Sequence, residues 1–341
     1  MRPATDVSDQ ATAAANPLLD LPSGPAPRIA VMIPCYNEAA AIAAVVAGFR
    51  AALPSAAVYV YDNNSGDATA SEARATGAIV RTERLQGKGY VVRRMFADIE
   101  AEIYVLVDGD GTYDAAAAPE MVAALRHGGL DMVTGTRVSD VREAYRPGHR
   151  FGNRVLTGMV QTVFGNRVSD MLSGYRIFSR RFVKSFPALS SGFEIETELT
   201  VHALELCMPL GEVPTRYGAR PTGSASKLRT YSDGLRILRT ILMLIKEERP
   251  LPFFSLSGLG FLLLGLGLGV PVVITYLRTG LVPRLPTAVL ASALVLLAFI
   301  SASLSLILDS VTRGRREMKR LMYLAVPGVH GLARTHEDPP T

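Results

Sequence analysis

Two carboxylates one residue apart, Asp108 and Asp110, close an apolar run at residues 103–107 and open the turn Asp108-Gly109-Asp110-Gly111-Thr112. A buried strand would deliver both acids to one sheet edge. Paired oxygen donors suit Mg²⁺ or Mn²⁺, which keep several waters and share carboxylates with substrate phosphates. The glycines let a ligand approach the backbone closely. Two acids on a turn are also a common solvated loop, so the meaning of this motif depends on what surrounds it.

The elements around it alternate. Residues 28–33 are a β-branched run ended by Pro34, and residues 38–53 show helical spacing through Ile42, Val45, Val46 and Phe49. The pattern then predicts strands at 57–61 and 78–81 and helices at 67–76 and 87–100. Strands alternating with helices imply an α/β fold whose mostly parallel sheet is covered on both faces. Ligands in such sheets bind beyond the carboxyl ends of the strands. Three polar clusters begin there: Pro34-Cys35-Tyr36-Asn37-Glu38, Asp62-Asn63-Asn64-Ser65-Gly66-Asp67 and Asp108-Gly109-Asp110. One alone could be a helix cap; three in succession at one edge point to a site.

At 341 residues, 20% charged and 48% hydrophobic, the chain has room for one such domain and more. Residues 253–277 and 287–308 are almost uninterrupted apolar runs, each long enough to cross a hydrocarbon core of about 30 Å. Two buried core helices are the alternative, but both runs exceed the length expected of a span and a short connector, 278–286, suits a membrane hairpin. Lys246 and Arg249 precede the first run. Arg313, Arg315, Arg316, Lys319 and Arg320 follow the second, so the positive-inside rule predicts both ends in the cytoplasm. The expected organisation is a disordered tail at 1–27, a catalytic domain at 28–227, an amphipathic interfacial helix at 228–250, two spans within 251–310, and a basic cytoplasmic tail at 311–341. This predicts a multi-pass protein of the cytoplasmic (inner) membrane with its catalytic domain in the cytoplasm.

Residues 1–27 lack the charged head and apolar stretch of a secretory signal. Two cysteines, Cys35 and Cys207, predict no disulfide framework. The net charge of +5 is spread out or gathered beside the spans, which suits lipid head groups and phosphates rather than nucleic acid. Gly265 with Gly269, and Ala298 with Ala302, are small pairs that either pack the hairpin or drive homo-oligomerisation. His127, His149, His202 and His330 have no metal-ligand spacing.

The ordered set Pro34, Tyr36, Asn37 and Glu38, then Asp62-Asn63-Asn64-Ser65, Gly87-Lys88-Gly89 and Asp108-Gly109-Asp110 resembles the nucleotide-sugar site of family 2 glycosyltransferases with the GT-A fold. Within that group the chain most resembles the dolichol-phosphate mannose synthase and polyprenyl-phosphate glycosyltransferase branch. Gly135-Thr136-Arg137, Asp170-Met171-Leu172-Ser173-Gly174-Tyr175-Arg176 and Gly223-Ser224-Ala225-Ser226-Lys227-Leu228 support it downstream. The resemblance covers residues 28–249. It implies a GT-A sheet flanked by helices, followed by a C-terminal two-helix hairpin, with a UDP- or GDP-linked sugar as donor and a polyprenyl phosphate as acceptor.

By that resemblance Pro34, Tyr36, Asn37, Glu38, Asp62, Asn63, Ser65, Lys88 and Gly109 would line the donor, and Asp108 and Asp110 would hold Mg²⁺ or Mn²⁺ on its diphosphate. Arg137, Arg150, Asn153, Arg176 and Lys227 are the candidates for the acceptor phosphate, Arg137 and Arg176 also as catalytic residues. Thr112 stands where many relatives have a glutamine. A phosphate monoester is already ionised near neutral pH, so the absence of an obvious base–nucleophile pair fits such an acceptor. The resemblance implies an inverting, in-line displacement at the anomeric carbon.

Glu194, Glu196 and Glu198 stand at a helix start, where capping is the expectation for the neighbours of Glu196 while Glu196 itself faces the site. The stripe Leu235, Ile237, Leu238, Ile241, Leu242 and Ile245 predicts a helix resting on the bilayer, and residues 155–164 suggest a weaker one. A processive synthase would carry a Gln-x-x-Arg-Trp motif, and this chain has no tryptophan. Transfer to a lipid alcohol such as diacylglycerol, or a non-catalytic sugar-nucleotide adaptor, are the rival readings.

Overall fold

The structure, a computed structural model, describes residues 27–138, 157–159, 161, 168–221 and 230–328, with the side chains of 230–234 excepted. Arg150, Asn153 and Lys227 lie outside the described residues, as do His149, His330 and most of 155–164.

Seven strands form one sheet: β1 (Ile29–Cys35), β2 (Ala57–Asp62), β3 (Ile79–Thr82), β4 (Ile103–Leu106), β5 (Met132–Val138), β6 (Arg176–Ser179) and β7 (Leu210–Arg216). Their order is β3-β2-β1-β4-β6-β5-β7. β6 alone runs against its neighbours β4 and β5; the other pairings are parallel. Sheet and helices thus agree with the alternation in the sequence.

Strand side chains alternate between faces, and both faces are buried. On β1, Ala30 and Met32 join one core while Val31, Ile33 and Cys35 join the other. The first core is completed by α3 (Lys88–Asp98), α5 (Arg180–Ser185) and α6 (Ile195–Glu205), through residues such as Met95, Phe182 and Leu199. The second is completed by α1 (Ile42–Ala52), α2 (Thr69–Ala75) and α4 (Ala118–His127), through Val46, Ala73 and Met121. Chain direction across the sheet reverses between β1 and β4, a switch point at which the flanking loops part to leave a crevice. Loops 36–38 and 107–112 border it.

Helix α7 (Thr230–Glu248) has two faces. Ile237 and Ile241 pack into a small core with Val168, Met171, Val201 and Leu204, so part of the stripe expected on the bilayer is spent on the α/β domain. Leu235, Leu242 and Met243 stay exposed beside Arg236, Arg239 and Lys246. That face has the mixture of apolar and cationic side chains expected at a lipid surface.

Helices α8 (Pro250–Thr279) and α9 (Leu285–Leu324) are both long and apolar enough to cross a membrane. At 1.5 Å per residue they extend roughly 45 and 60 Å. Only 11% and 17% of their most apolar windows is buried, which disfavours the core-helix alternative. Their contact is a seam of small residues: Gly265 and Gly258 on α8 meet Ala291 and Ala298 on α9, Ser305 of α9 donates to the Leu251 carbonyl of α8, and Thr312 continues the seven-residue spacing to the Glu247 carbonyl of α7. A strict seven-residue repeat keeps one seam facing a partner helix through left-handed supercoiling. The small pairs singled out in the sequence therefore pack the hairpin itself.

Beyond its apolar part, α9 stays helical to Leu324 and returns to the α/β domain, where the sequence suggested a plain basic tail. Lys319 bridges Glu205 (2.7 Å) and Glu248 (3.0 Å), and the Tyr323 hydroxyl donates to Asp131 Oδ2 at 2.7 Å. The hairpin is thereby pinned to α6, α7 and the start of β5.

Candidate active site

The three polar clusters stand together at the carboxyl edge of β1, β2 and β4. Asn37 and Asn64 take positive φ, +54° and +62°, a region asparagine tolerates better than most side chains. The first two loops are laced to each other. Asn37 N–H donates to Ser65 Oγ (2.9 Å), Gly66 N–H to Asn37 Oδ1 (2.7 Å), and Glu38 N–H to Thr69 Oγ1 (2.8 Å). Asp62 accepts only a long bond from Ser65 N–H (3.3 Å) through Oδ2, and its buried Oδ1 has no partner among the described residues. An orphaned buried acceptor costs free energy until a donor reaches it. Tyr36, 38% exposed, stands at the rim of the same crevice.

Asn63 does something else. Its Nδ2 donates to the carbonyls of Glu83 and Leu85, and its Oδ1 accepts from Gly87 N–H. Expected on the donor, this side chain instead braces the loop that leads into α3.

That loop places Lys88. A β-carbon at Gly87 or Gly89 would overlap the carbonyl oxygens of Ser191 and Ser190. The two glycines let the 190–191 backbone close against α3, and Gly87 also needs its φ of +140°. Beneath this cover the Lys88 ammonium forms short ion pairs with Asp108 and Glu196. Burial works against its charge, but the two carboxylates outweigh burial and hold the pKa above the ordinary lysine range. Glu198 and Glu194 serve the loop before α6: Glu198 accepts from Leu189 and Ser190 N–H, and Glu194 from Gly192 N–H.

Asp108 rests on Gly174, where a β-carbon would overlap its Oδ2. Tyr113 fixes that glycine by accepting from its N–H at 2.8 Å. Behind Asp108, a β-carbon at Gly109 would stand 2.5 Å from Cys35 Sγ, so glycine is needed where the turn crosses β1. Asp110 is 5% exposed; its Oδ1 accepts from Thr112 Oγ1 (2.6 Å) and Thr112 N–H (3.1 Å), and its Oδ2 meets Arg220 Nη2 at 2.6 Å. Burial, together with the charge of Asp108, raises the pKa of Asp110 against the pull of Arg220 and Thr112. Thr112, in the place of the glutamine common among relatives, thus orients the second carboxylate.

The two arginines expected at the acceptor differ in kind. Arg137 makes a bidentate pair with Asp170 (2.8 and 2.7 Å), and its guanidinium lies 5.6 Å from the centre of the Tyr217 ring. Arg176 is fully buried, donating to the carbonyls of Ser173 and Met171 and to Thr200 Oγ1. Burial lowers its pKa. Sealed from solvent and with all three nitrogens engaged on protein atoms, Arg176 ties the 171–174 loop to α6 instead of facing the crevice, where the motif predicts a phosphate ligand.

Arg220 is the residue the sequence reading missed. An isolated bridge pairs Tyr113 with Tyr217, and Gly218 N–H donates to the Thr112 carbonyl (2.8 Å), drawing the segment after β7 across Asp110. The sole local signal is a basic residue shortly before the Gly-Ser-rich loop.

Two carboxylates with hard oxygen donors fit a magnesium-like ion that completes its shell from phosphate and water. No group of three or more His, Cys, Asp or Glu side chains forms a metal cage among the described residues. The family model for glycosyl transferase family 2 matches residues 30–186. Glycosyltransferase AglJ of Haloferax volcanii is 36% identical over 246 residues, 72% of this chain and 80% of the relative. The chain belongs to glycosyl transferase family 2. A dolichyl-phosphate hexose transferase of the same organism is 27% identical over 221 residues, 65% of this transferase and 95% of the relative. Glucosyl-3-phosphoglycerate synthase from Mycobacterium tuberculosis, solved with Mn²⁺, UDP-glucose and phosphoglyceric acid, superposes with a TM-score of 0.52 at 22% identity, covering 64% of this chain and 79% of that one. That likeness shows the GT-A fold, and membership of the family makes the protein a glycosyltransferase.

Proposed function

We propose that this transferase moves one sugar, with inversion, from a nucleoside diphosphate donor to a polyprenyl phosphate at the cytoplasmic face of the inner membrane. The observation that carries the reading is a diphosphate-type carboxylate pair in a domain pinned to a membrane-length hairpin. The dolichyl-phosphate hexose transferase among its relatives supports the acceptor class.

Asp62 Oδ1 offers an acceptor to the imide or amide N–H of uracil or guanine, and Tyr36 offers a ring face beside it. Asp108 and Asp110 would hold Mg²⁺ or Mn²⁺, which supplies positive charge to the departing diphosphate. Lys88 stays protonated and adds a fixed charge at the same corner. Arg137, held flat by Asp170, is oriented rather than free to wander, and with Arg150, Asn153 and Lys227 it remains a candidate for the acceptor phosphate. The acceptor phosphate attacks as an anion and needs no base. Transfer to a lipid alcohol would need a general base, and the pairing of Glu196 with Lys88 argues against that role for it; the activity of Glu196→Gln tests the point. The exposed face of α7 would seat the domain on anionic lipid, bringing the prenyl phosphate to the crevice.

The test is transfer of labelled sugar from UDP- and GDP-sugars to undecaprenyl phosphate with Mg²⁺ or Mn²⁺, comparing wild type with Asp110→Ala. A chloroform-soluble product lost in the variant is expected. Measurable donor binding without any lipid product would sink the reading.

A further inference from the structure

We propose that Arg220 is a placeholder cation: it occupies Asp110 in the empty enzyme, so that a divalent ion enters the carboxylate pair only together with a nucleoside diphosphate. The inference rests on the donor reading above and adds an order of binding to it.

Asp110 is nearly sealed from solvent, and a lone carboxylate there would be costly. Arg220 Nη2 at 2.6 Å supplies the compensating charge. Its side chain is 28% exposed, against 9% for Lys88, so of the two cations on the pair Arg220 has the freer path outward. Lys88 keeps Glu196 as a partner if it releases Asp108, which anchors it in place.

Arg220 also rides on a fixed support. Gly218 N–H ties the segment to Thr112, and Pro221 lies against Gly111, so the guanidinium can leave Asp110 by side-chain rotation while its backbone stays put. A bare dication arriving at Asp110 must evict Arg220 and then sit beside the evicted charge. A diphosphate arriving with the ion supplies oxygens that receive the guanidinium, for which planar forked donors are well suited. Metal and nucleotide therefore bind with positive coupling, and linkage makes the coupling reciprocal.

The experiment is Mn²⁺ titration followed by electron paramagnetic resonance on the full chain in detergent, with no nucleotide, with UDP and with GDP. In the wild type one of the nucleotides should tighten Mn²⁺ by at least about tenfold, a common size for coupled sites. Arg220→Met should bind Mn²⁺ alone about tenfold tighter than wild type and lose a matching share of the nucleotide-linked gain. Arg220→Lys, which restores a cation, should return toward wild type. Mn²⁺ affinity without nucleotide that is unchanged or weaker in Arg220→Met, in protein that still melts cooperatively, overturns the proposal. Should Arg220→Met not fold, Arg220→Gln is judged by the same criterion. If Asp110→Asn binds Mn²⁺ with nucleotide as well as wild type does, the carboxylate metal site fails, and the placeholder with it.

Discussion

Gly174 lies directly beneath Asp108, with no room between its α-carbon and the carboxylate for a methyl group. The glycine comes from the loop before β6 and the acid from the turn after β4, neighbours only because β6 pairs with β4 in antiparallel register. Gly174→Ala should push Asp108 off its position while leaving the sheet intact. Displacements of about 1 Å at a reacting centre can cost on the order of 10²-fold in rate. Sugar-transfer kinetics should show that loss with an unchanged circular dichroism spectrum; an alanine variant of wild-type activity would refute the cradle.

Thr112 donates both its hydroxyl and its N–H to Asp110 Oδ1. Thr112→Val keeps the shape and the backbone bond but removes the hydroxyl. The expected stability cost is about 1 kcal/mol. Supporting hydrogen bonds to metal-binding groups are worth roughly 10- to 100-fold in affinity, so Mn²⁺ binding in the presence of nucleotide should weaken within that range. Equal affinity in wild type and valine variant would show that Thr112 does not orient the carboxylate.

What the sequence made legible follows from how local each signal is. Strand and helix periods, the three polar loops and the two apolar runs are all written within short windows, and the elements appear within a few residues of where the patterns place them. Arg176 was misread because its fate depends on a long-range event: β6 inserts between β4 and β5, carrying the guanidinium into the interior. Asn63 looked like a ligand-facing polar residue for the same reason that makes it a good brace, since its amide can serve a loop backbone as readily as a nucleotide. Arg220 was invisible because a single bridge between Tyr113 and Tyr217 brings it to Asp110. The α7 stripe was read as one surface, whereas the fold divides it between Ile237 and Ile241 on the domain and Leu235 and Leu242 outside.

Lys88, Asp108 and Glu196 form one charge cluster in which two carboxylates share one ammonium. Lys88→Met removes the shared charge and leaves two acids facing each other, which should cost on the order of 3 kcal/mol, the scale for breaking a buried pair. Adding Glu196→Gln removes the second acid and should recover part of that loss. The double variant should therefore be more stable than Lys88→Met alone. A double-mutant cycle on unfolding midpoints measures this coupling, and simple additivity would contradict the shared-ammonium arrangement.

His202 provides a pH signature of the fold itself. It is 3% exposed on α6, its ring set edge-on to Phe182 and Phe186, with Ser185 Oγ 3.2 Å from Nε2. Burial, with the Lys319 charge adding to it, lowers its pKa from 6.5 to about 3. Above pH 6.5 the imidazole is neutral whether the chain is folded or not. Between pH 6.5 and 3 the unfolded chain takes up a proton that the folded one refuses, so stability falls as pH falls. The slope is about 1.4 kcal/mol per pH unit, or roughly 2 kcal/mol lost between pH 6.5 and 5. His202→Leu abolishes this term and keeps an apolar side chain between the two phenylalanines. Thermal melting of both proteins across pH 5 to 8 should show the wild type losing ground to the variant on the acid side only. Melting temperatures that fall in parallel would mean that His202 takes up its proton without unfolding the chain.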